Sequence, residues 1–562
     1  MTRENPNTQT AAAHLLYQMK RGGIDHLLAN PGTDFPSIIE ALSADAASGA
    51  MPEALAIHHE NVAVGMAHGY YLVSGKMAAV MVHVNVGLAN CTMGALNAAS
   101  SQVPVLLMSG RSPVTEVGRH GSRQTPIHWG QEMFNQASLV QESTKWTYEL
   151  RYPEQAAQVV QRAISIAHAQ PSAPVYVSLP REVLAETVAQ PLPTPVTPTS
   201  WGAAPNPQAI QEAARRLAKA QRPVVVVQRT PAMGRIDELA ALLDETGWGV
   251  VEFWPTTNTL STHHASHLGF EPAAVLAQAD AVLTIGAMVP WTPLLAEPTD
   301  AFVVAVGWDP LDQATPYRGF RADLCITADP AQAIAALRTA VQPELDAAQV
   351  AARQQWLADT RQAQRDALNN AWQEADNGVM NPAFVSRVLS EEAGEDAAIF
   401  CELGPVPGAM HIAGAGQLHW TPLAGGLGWG LPAALGAKLA RPERTVIAAI
   451  GDGSYLFANP SACHQVSITH GLPVLTVLFN NGRWQAVKRA TLSMYPEGEA
   501  AALAPMPLTD LGPAPDYTAL ARAHGAYTEQ VSQPSALREA LQRALHEVRQ
   551  QGRQALVEVL LP

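Results

Sequence analysis

Short uninterrupted runs of β-branched and apolar residues recur along the chain, separated by longer Ala-rich stretches. Such runs are AAVMVHV at 78–84 and VPVLLM at 103–108, PVVVV at 223–227 and AVLTI at 281–285, and TVIAAI at 445–450 and VLTVLF at 474–479. A strand that is apolar throughout, rather than at alternate positions, is buried on both faces. That is the pattern of parallel sheets covered by helices on either side. The prediction is an α/β protein of three doubly wound parallel-sheet domains. Two seams divide it. Residues 189–208 carry Pro191, Pro193, Pro195, Pro198, Pro205 and Pro207 and read as an extended linker, because proline fixes φ and removes a donor. Residues 343–382 enclose a helical stretch, 345–375, with Trp356 and Leu357 apolar, that would bridge two domains over the surface. The domains are then 1–188, 203–342 and 376–562. In open parallel sheets ligands gather beyond the carboxyl ends of the strands, so chemistry is sought in the loops that follow them.

Composition narrows the class. The 562 residues are 47% hydrophobic and 15% charged, enough for large cores and incompatible with global disorder. With 49 acidic against 35 basic residues the net charge is −14, which argues against nucleic acid or an anionic membrane surface as partner. Cys91, Cys325, Cys401 and Cys463 are far apart, without a CxxC pair, and read as buried thiols of a reducing compartment. Residues 1–10 are polar, without the apolar core of a secretion signal, and no apolar run reaches the about 18 residues of a membrane span. A cytoplasmic enzyme is expected. Low-complexity segments and short-period repeats are absent from the sequence.

The most informative stretch is 445–483. The strand TVIAAI ends in Gly451-Asp452-Gly453, and VLTVLF ends in Asn480-Asn481-Gly482. The chain between them is long enough for one right-handed crossover, which makes the two strand ends neighbours. A carboxylate, an amide oxygen and free backbone carbonyls would then converge. That all-oxygen set suits Mg2+ or Ca2+, with a phosphate completing the coordination. The glycines allow close approach of a diphosphate, and the following helix start favours its charge. Read alone, GDG is an ordinary strand-to-helix turn capped by Asp452; the Asn pair at this separation favours the metal–phosphate reading.

A GDG followed about 25 to 30 residues later by NN resembles the signature of thiamine-diphosphate-dependent enzymes. Other segments carry the same resemblance: HHENVAVGMAHGYYLVSGK with Glu60 opening a small-residue helix, the loop Asn30-Pro31-Gly32-Thr33, the segment from His83 to Gly87 with Asn90 and Met93-Gly94-Ala95-Leu96, and AGGLGWGLP at 424–432. Together they are similar to the benzoylformate decarboxylase and acetohydroxyacid synthase branch. The resemblance implies pyrimidine-binding, central and diphosphate-binding domains in that order. It implies thiamine diphosphate and Mg2+ (or Ca2+) as cofactors, a homodimer at minimum and usually a homotetramer, and a small 2-oxo acid as substrate. The implied reaction is non-oxidative decarboxylation, with carboligation to a second carbonyl as a companion outcome. An acetolactate synthase-type carboligase is the runner-up; acyl transfer to phosphate or coenzyme A, and a non-catalytic cofactor-binding subunit, are further alternatives. By resemblance Glu60 bonds N1′ of the pyrimidine, Gly425 accepts from its 4′-amino group and Leu427 props the bent cofactor. Asn30, Pro31, Gly32 and Gly451 lie along the cofactor, Gly453 and Ser454 lie against the diphosphate, and Asp452, Asn481 and the Arg483 carbonyl hold the metal. His83 and Thr33 face the substrate.

The chain departs from that branch in places. Where a second active-site histidine is expected after Ala287, Thr292 and Pro293 stand; His263, His264 and His267 nearby read as loop-surface residues. After the strand at 223–227 the chain runs Gln228-Arg229-Thr230-Pro231, without the glycine-rich turn of a flavin site, so no FAD is expected. Lys488 and Arg489 read equally as holders of an acidic substrate group or as a solvated helix face. The loop 119–124, with Gln131 and Glu132 near it, reads equally as a cover for the site or as surface. Trp129, Trp291, Trp429 and Trp484 would line an apolar pocket or fill the core.

Overall fold

The computed structural model describes residues 8–189, 202–513 and 515–562. Most of the proline-rich linker therefore lies outside the described residues. The strands in chain order are β1 (Thr8–Thr10), β2 (His26–Asn30), β3 (Glu53–Ala56), β4 (Ala79–Val82), β5 (Leu106–Arg111), β6 (Thr147–Glu149), β7 (Val175–Pro180) and β8 (Thr187–Ala189). There follow β9 (Pro223–Val227), β10 (Gly249–Glu252), β11 (Ala281–Ile285), β12 (Phe302–Gly307) and β13 (Leu324–Thr327). The last set is β14 (Ala398–Glu402), β15 (Leu418–Trp420), β16 (Val446–Gly451), β17 (Leu475–Asn480), β18 (Tyr527–Val531) and β19 (Ala555–Leu560).

They form three parallel sheets, in the orders β3-β2-β4-β5-β7-β6, β10-β9-β11-β12-β13 and β15-β14-β16-β17-β19-β18, beside an antiparallel β1–β8 ribbon. The doubly wound α/β prediction holds. Its physical basis is visible in β4, β9, β11, β16 and β17, each buried at every position.

The chain forms two compact units. Residues 1–200 and 422–442 make the first, and residues 201–421 and 443–562 the second. In the first, the helix Glu60–Ser74 lies against the helix Gly430–Ala440 at backbone contact. A Cβ on Gly69 would stand 1.9 Å from the Ala433 carbonyl oxygen, and one on Gly436 1.9 Å from that of Met66. The small residues of the Glu60 helix thus serve this crossing. In the second unit, the predicted bridging helix is Ala347–Asp376, capped by Asp346, which accepts from Gln349 N at 2.9 Å. Arg353 is buried in it and donates to the carbonyls of Ala220 and Thr246 at 3.1 and 3.0 Å. The loop 256–262 meets 410–420 through buried Asn258, whose Oδ1 accepts from Leu418 N at 2.8 Å and whose Nδ2 donates to Gly414 O at 2.8 Å.

Two local expectations are corrected. The apolar run at 78–84 stops being a strand at Val82, and a helix begins at Val84. The run at 103–108 becomes a strand only from Leu106. The crossover after Asp452 runs through two helices, Asp452–Phe457 and Pro460–Thr469, broken where Asn459 adopts a left-handed φ of 54° before Pro460. Proline disfavours helical geometry in the residue before it, and Asn tolerates the left-handed region. Among the described residues no helix is long and apolar enough to cross a membrane.

Candidate active site

In the first unit, the loops after β2, β3 and β4 carry Thr33, Glu60 and His83. These are the carboxyl ends of three neighbouring strands, where a doubly wound sheet concentrates ligands. Glu60 opens its helix, with His59 as cap: His59 Nδ1 accepts from Asn61 N at 3.2 Å. The carboxylate is turned inward, its side chain 13% exposed. Glu60 Oε2 accepts from Asn90 Nδ2 at 3.0 Å, and Oε1 lies where a Cβ on Gly87 would come within 3.3 Å. Asn90 and Gly87 sit on the helix Val84–Ser100 that follows His83, so one helix serves both candidate residues.

His83 is held by a residue that the sequence reading did not single out. Its Nδ1 lies at hydrogen-bond distance from Asp34 Oδ1, 2.5 Å, and Val84 N donates to Asp34 Oδ2 at 3.2 Å. Asp34 is 2% exposed. Its space exists because residue 110 is glycine: a Cβ there would stand 1.7 Å from Asp34 Oδ2. Gly32 does the same for the imidazole, since a Cβ on it would lie 2.2 Å from the ring. On the other side Gln131 Nε2 donates to His83 Nε2 at 3.2 Å. The hydrogen bond to Asp34 raises the His83 pKa above its ordinary value; burial opposes this, and the charges of Asp34 and Glu60 add to the rise. Val84 takes a φ of 29°, a strained value for a β-branched residue, at the step from strand to helix. Asp34 follows Thr33 in a turn-rich loop, and nothing local marks it; its partner lies far along the sequence.

The other first-unit residues are placed as follows. Asn30 Nδ2 donates to Ile57 O at 2.7 Å, tying the β2 loop to the approach to Glu60. Thr33 is exposed, as is Pro31, and the Thr33 carbonyl accepts from Arg181 Nη1 at 3.2 Å. Arg181 also donates to Gly121 O at 2.6 Å and Ser122 O at 3.1 Å, and Arg123 pairs with Glu132. The 119–124 loop is thus pinned beside the segment that carries Gln131. Gly425 (φ 69°) and Leu427 lie in the stretch that packs with this unit: Asn97 Nδ2 donates to Gly426 O at 2.8 Å.

In the second unit, β16 and β17 are adjacent and parallel, with Gly451 opposite Phe479. Asp452 is 3% exposed; its Oδ1 accepts from Gly453 N at 2.9 Å and its Oδ2 from Gly482 N at 2.7 Å. The two predicted motifs therefore meet. Burial pushes the Asp452 carboxyl above its ordinary value, and among the described residues no cationic side chain pairs with it. Asn481 Oδ1 accepts from Arg483 N at 3.0 Å, and the Arg483 carbonyl accepts from Gln485 N at 2.9 Å. Neighbouring Asn480 is turned away, donating to Glu558 Oε1 at 2.6 Å. The Ser454 hydroxyl is buried without a partner among the described residues. Gly453 has a second reason to be glycine, since a Cβ on it would meet the Trp484 ring at 2.3 Å. A buried carboxylate without a counter-cation, an amide oxygen, a carbonyl and an orphan hydroxyl form a donor set that fits a hard divalent ion and a phosphate.

Elsewhere the second unit differs from expectation at His267. It is buried, with Nε2 3.1 Å from Glu252 Oε2, rather than on a loop surface; His263 is exposed, and His264 is half-buried 3.4 Å from Asp244. Thr292 and Pro293 are exposed, whereas Trp291 is buried. After β9, Gln228 donates to Val289 O at 2.9 Å and Arg229 pairs with Asp312 at 2.7 Å. The helix Gln485–Met494, with Lys488 and Arg489, has no buried residue. Trp429 is buried, Trp129 is half exposed, and Trp484 packs edge-on against Phe457.

Comparison with known proteins agrees with this layout. Residues 9–139 match the N-terminal TPP binding domain of thiamine pyrophosphate enzymes, residues 210–337 their central domain and residues 406–559 their C-terminal TPP binding domain. Benzoylformate decarboxylase of Pseudomonas aeruginosa is 28% identical over 96% of this chain and 97% of its own length. Sulfoacetaldehyde acetyltransferase of Rhodobacter capsulatus is 27% identical over 90% of this chain and 87% of its own. A solved structure, the thiamine diphosphate-dependent 4-hydroxybenzoylformate decarboxylase of Rhodococcus jostii RHA1, shares the fold with a TM-score of 0.77 at 22% identity, covering 98% of this chain and 99% of that one. With its three domains in this order, the chain belongs to the thiamine pyrophosphate (thiamine diphosphate) enzymes.

Proposed function

We propose that the protein carries out thiamine diphosphate- and Mg2+-dependent, non-oxidative decarboxylation of a 2-oxo acid, releasing an aldehyde or joining the product carbon to a second carbonyl. The observation that carries this reading is the placement of Glu60 and an Asp34-held His83 at the carboxyl ends of β3 and β4, which flank β2, with the helix after His83 supplying Asn90 to Glu60. When bound, thiamine diphosphate supplies a nucleophilic carbon and an electron sink, and the protein supplies orientation and proton handling. Glu60, shielded and steadied by Asn90, is assigned to share a proton with the pyrimidine N1′. His83 holds a proton at Nε2 for the substrate carboxylate or the product carbon. Thr33, exposed beside them, offers a hydroxyl to the substrate. Asn30, Pro31 and Gly32 border the pyrimidine end, and Gly425 and Leu427 take the roles of acceptor and prop.

For the diphosphate end, Gly451, Gly453 and Ser454 are the contacts assigned, with Asp452, Asn481 and the Arg483 carbonyl as metal ligands. The all-oxygen character of that set favours Mg2+ over softer ions. The boundaries 1–188, 203–342 and 376–562 remain our assignment of domains, and a cytoplasmic homodimer or homotetramer our assignment of assembly. Cys91, Cys401 and Cys463 are buried free thiols, which suits a reducing compartment, whereas Cys325, expected to be buried like them, is exposed.

The likeness to sulfoacetaldehyde acetyltransferase favours one second reading, acyl transfer to an acceptor such as phosphate. The two readings separate by substrate. CO2 release and products are followed with pyruvate and with benzoylformate, and acyl transfer with sulfoacetaldehyde plus phosphate, where departure of sulfite balances formation of the acyl phosphate without an oxidant. Aldehyde or hydroxyketone from the 2-oxo acids supports decarboxylation; acyl phosphate with sulfite supports transfer. Neither CO2 nor acyl phosphate, in protein that binds the cofactor, counts against both.

A further inference from the structure

We propose that Asp34 is the positioning residue for the reaction: it fixes which nitrogen of His83 carries the permanent proton, so that only Nε2 exchanges protons with substrate. The proposal rests on the role given to His83 above. A carboxylate facing Nδ1 at 2.5 Å accepts a hydrogen bond and cannot donate one when ionised, so Nδ1 stays protonated whether the ring is neutral or charged. Nε2 is then the nitrogen that gains and loses a proton. Its neighbour Gln131 suits both states. With its amide nitrogen toward Nε2, at 3.2 Å, it donates to the neutral ring; with the amide turned over, its Oε1, which is buried and has no partner among the described residues, would accept from the imidazolium.

The carboxylate itself is held in place. Val84 N donates to its second oxygen, and Gly110 leaves it the space that a Cβ would fill. Behind Gly110, buried Gln136 donates to its carbonyl and to Ser109 Oγ, each at 2.8 Å. The charged and titratable groups around the ring are Asp34 and Glu60, which favour its proton, and His128, which has Arg181, Arg123 and Glu182 about it. Asp34 is the one bonded directly to the imidazole.

The test follows His83 by NMR in histidine-labelled holoenzyme, with thiamine diphosphate and Mg2+ bound, its signals assigned by their loss in His83→Gln. In the wild type, the ring is expected to be the Nδ1–H tautomer when neutral. In Asp34→Asn its titration midpoint is expected to fall by about one pH unit or more, and the alkaline limb of kcat/KM to fall with it. An Nε2–H tautomer in the wild type overturns the proposal without any variant. So does a variant that folds yet keeps the same midpoint, its rate lowered equally at every pH. If no 2-oxo acid is turned over, the function assigned above fails while the tautomer and midpoint still report on Asp34.

Discussion

At the scale of single residues, a few atoms carry the chemistry and their neighbours decide whether they are in place. Glu60→Gln keeps the bond from Asn90 but removes the group that shares a proton. Its CO2 release from a 2-oxo acid is expected to fall by about 10²–10⁴-fold with circular dichroism unchanged; activity within a few-fold of wild type would remove Glu60 from the mechanism. Gly110→Ala tests the space around Asp34. A methyl 1.7 Å from a carboxylate oxygen forces the loop to move, at a cost of about 1–3 kcal/mol read as a lower unfolding midpoint. An unchanged midpoint would mean that the pocket is looser than described. The Asp34–His83 pair also links stability to pH. Because the folded His83 pKa is raised, the pair's contribution is fully present below the unfolded histidine value and is lost as pH rises through the folded one.

At the scale of elements, glycines and one arginine set the framework. Arg353 is 1% exposed and its guanidinium is satisfied by backbone carbonyls, which fastens the long helix Ala347–Asp376 to the C-terminal ends of the helices Pro207–Lys219 and Leu239–Thr246. Arg353→Met removes those donors and leaves the carbonyls buried. The expected loss is about 2–4 kcal/mol in urea unfolding; a change below about 0.5 kcal/mol would contradict the clamp. The sequence foretold these elements unevenly, for physical reasons. β9 and β11 were legible to the residue because polar residues or glycine bound their apolar runs, Arg222 and Gln228 around one and Asp280 and Gly286 around the other, whereas the apolar run at 78–84 continues past the end of β4 into a helix. The GDG and NN motifs were legible because a parallel crossover brings them together. Asp34 was missed because its meaning depends on His83, and only the pairing of β2 with β4 brings those two loops together. His267 was misread for a similar reason: Glu252, at the end of β10, buries it.

At the scale of the whole molecule, the pyrimidine end of the coenzyme is assigned to Glu60 and its diphosphate end to Asp452 with Asn481. The metal joins protein to diphosphate in this account, so treatment with a chelator should abolish CO2 release and Mg2+ should restore it, with the fold unchanged throughout. The most direct measurement is calorimetric titration of thiamine diphosphate into the protein with Mg2+ present, repeated with Asp452→Ala. The account predicts binding by the wild type that chelation removes, and no detectable binding by the variant. Absence of binding by the wild type in Mg2+, or undiminished binding by Asp452→Ala, would contradict it.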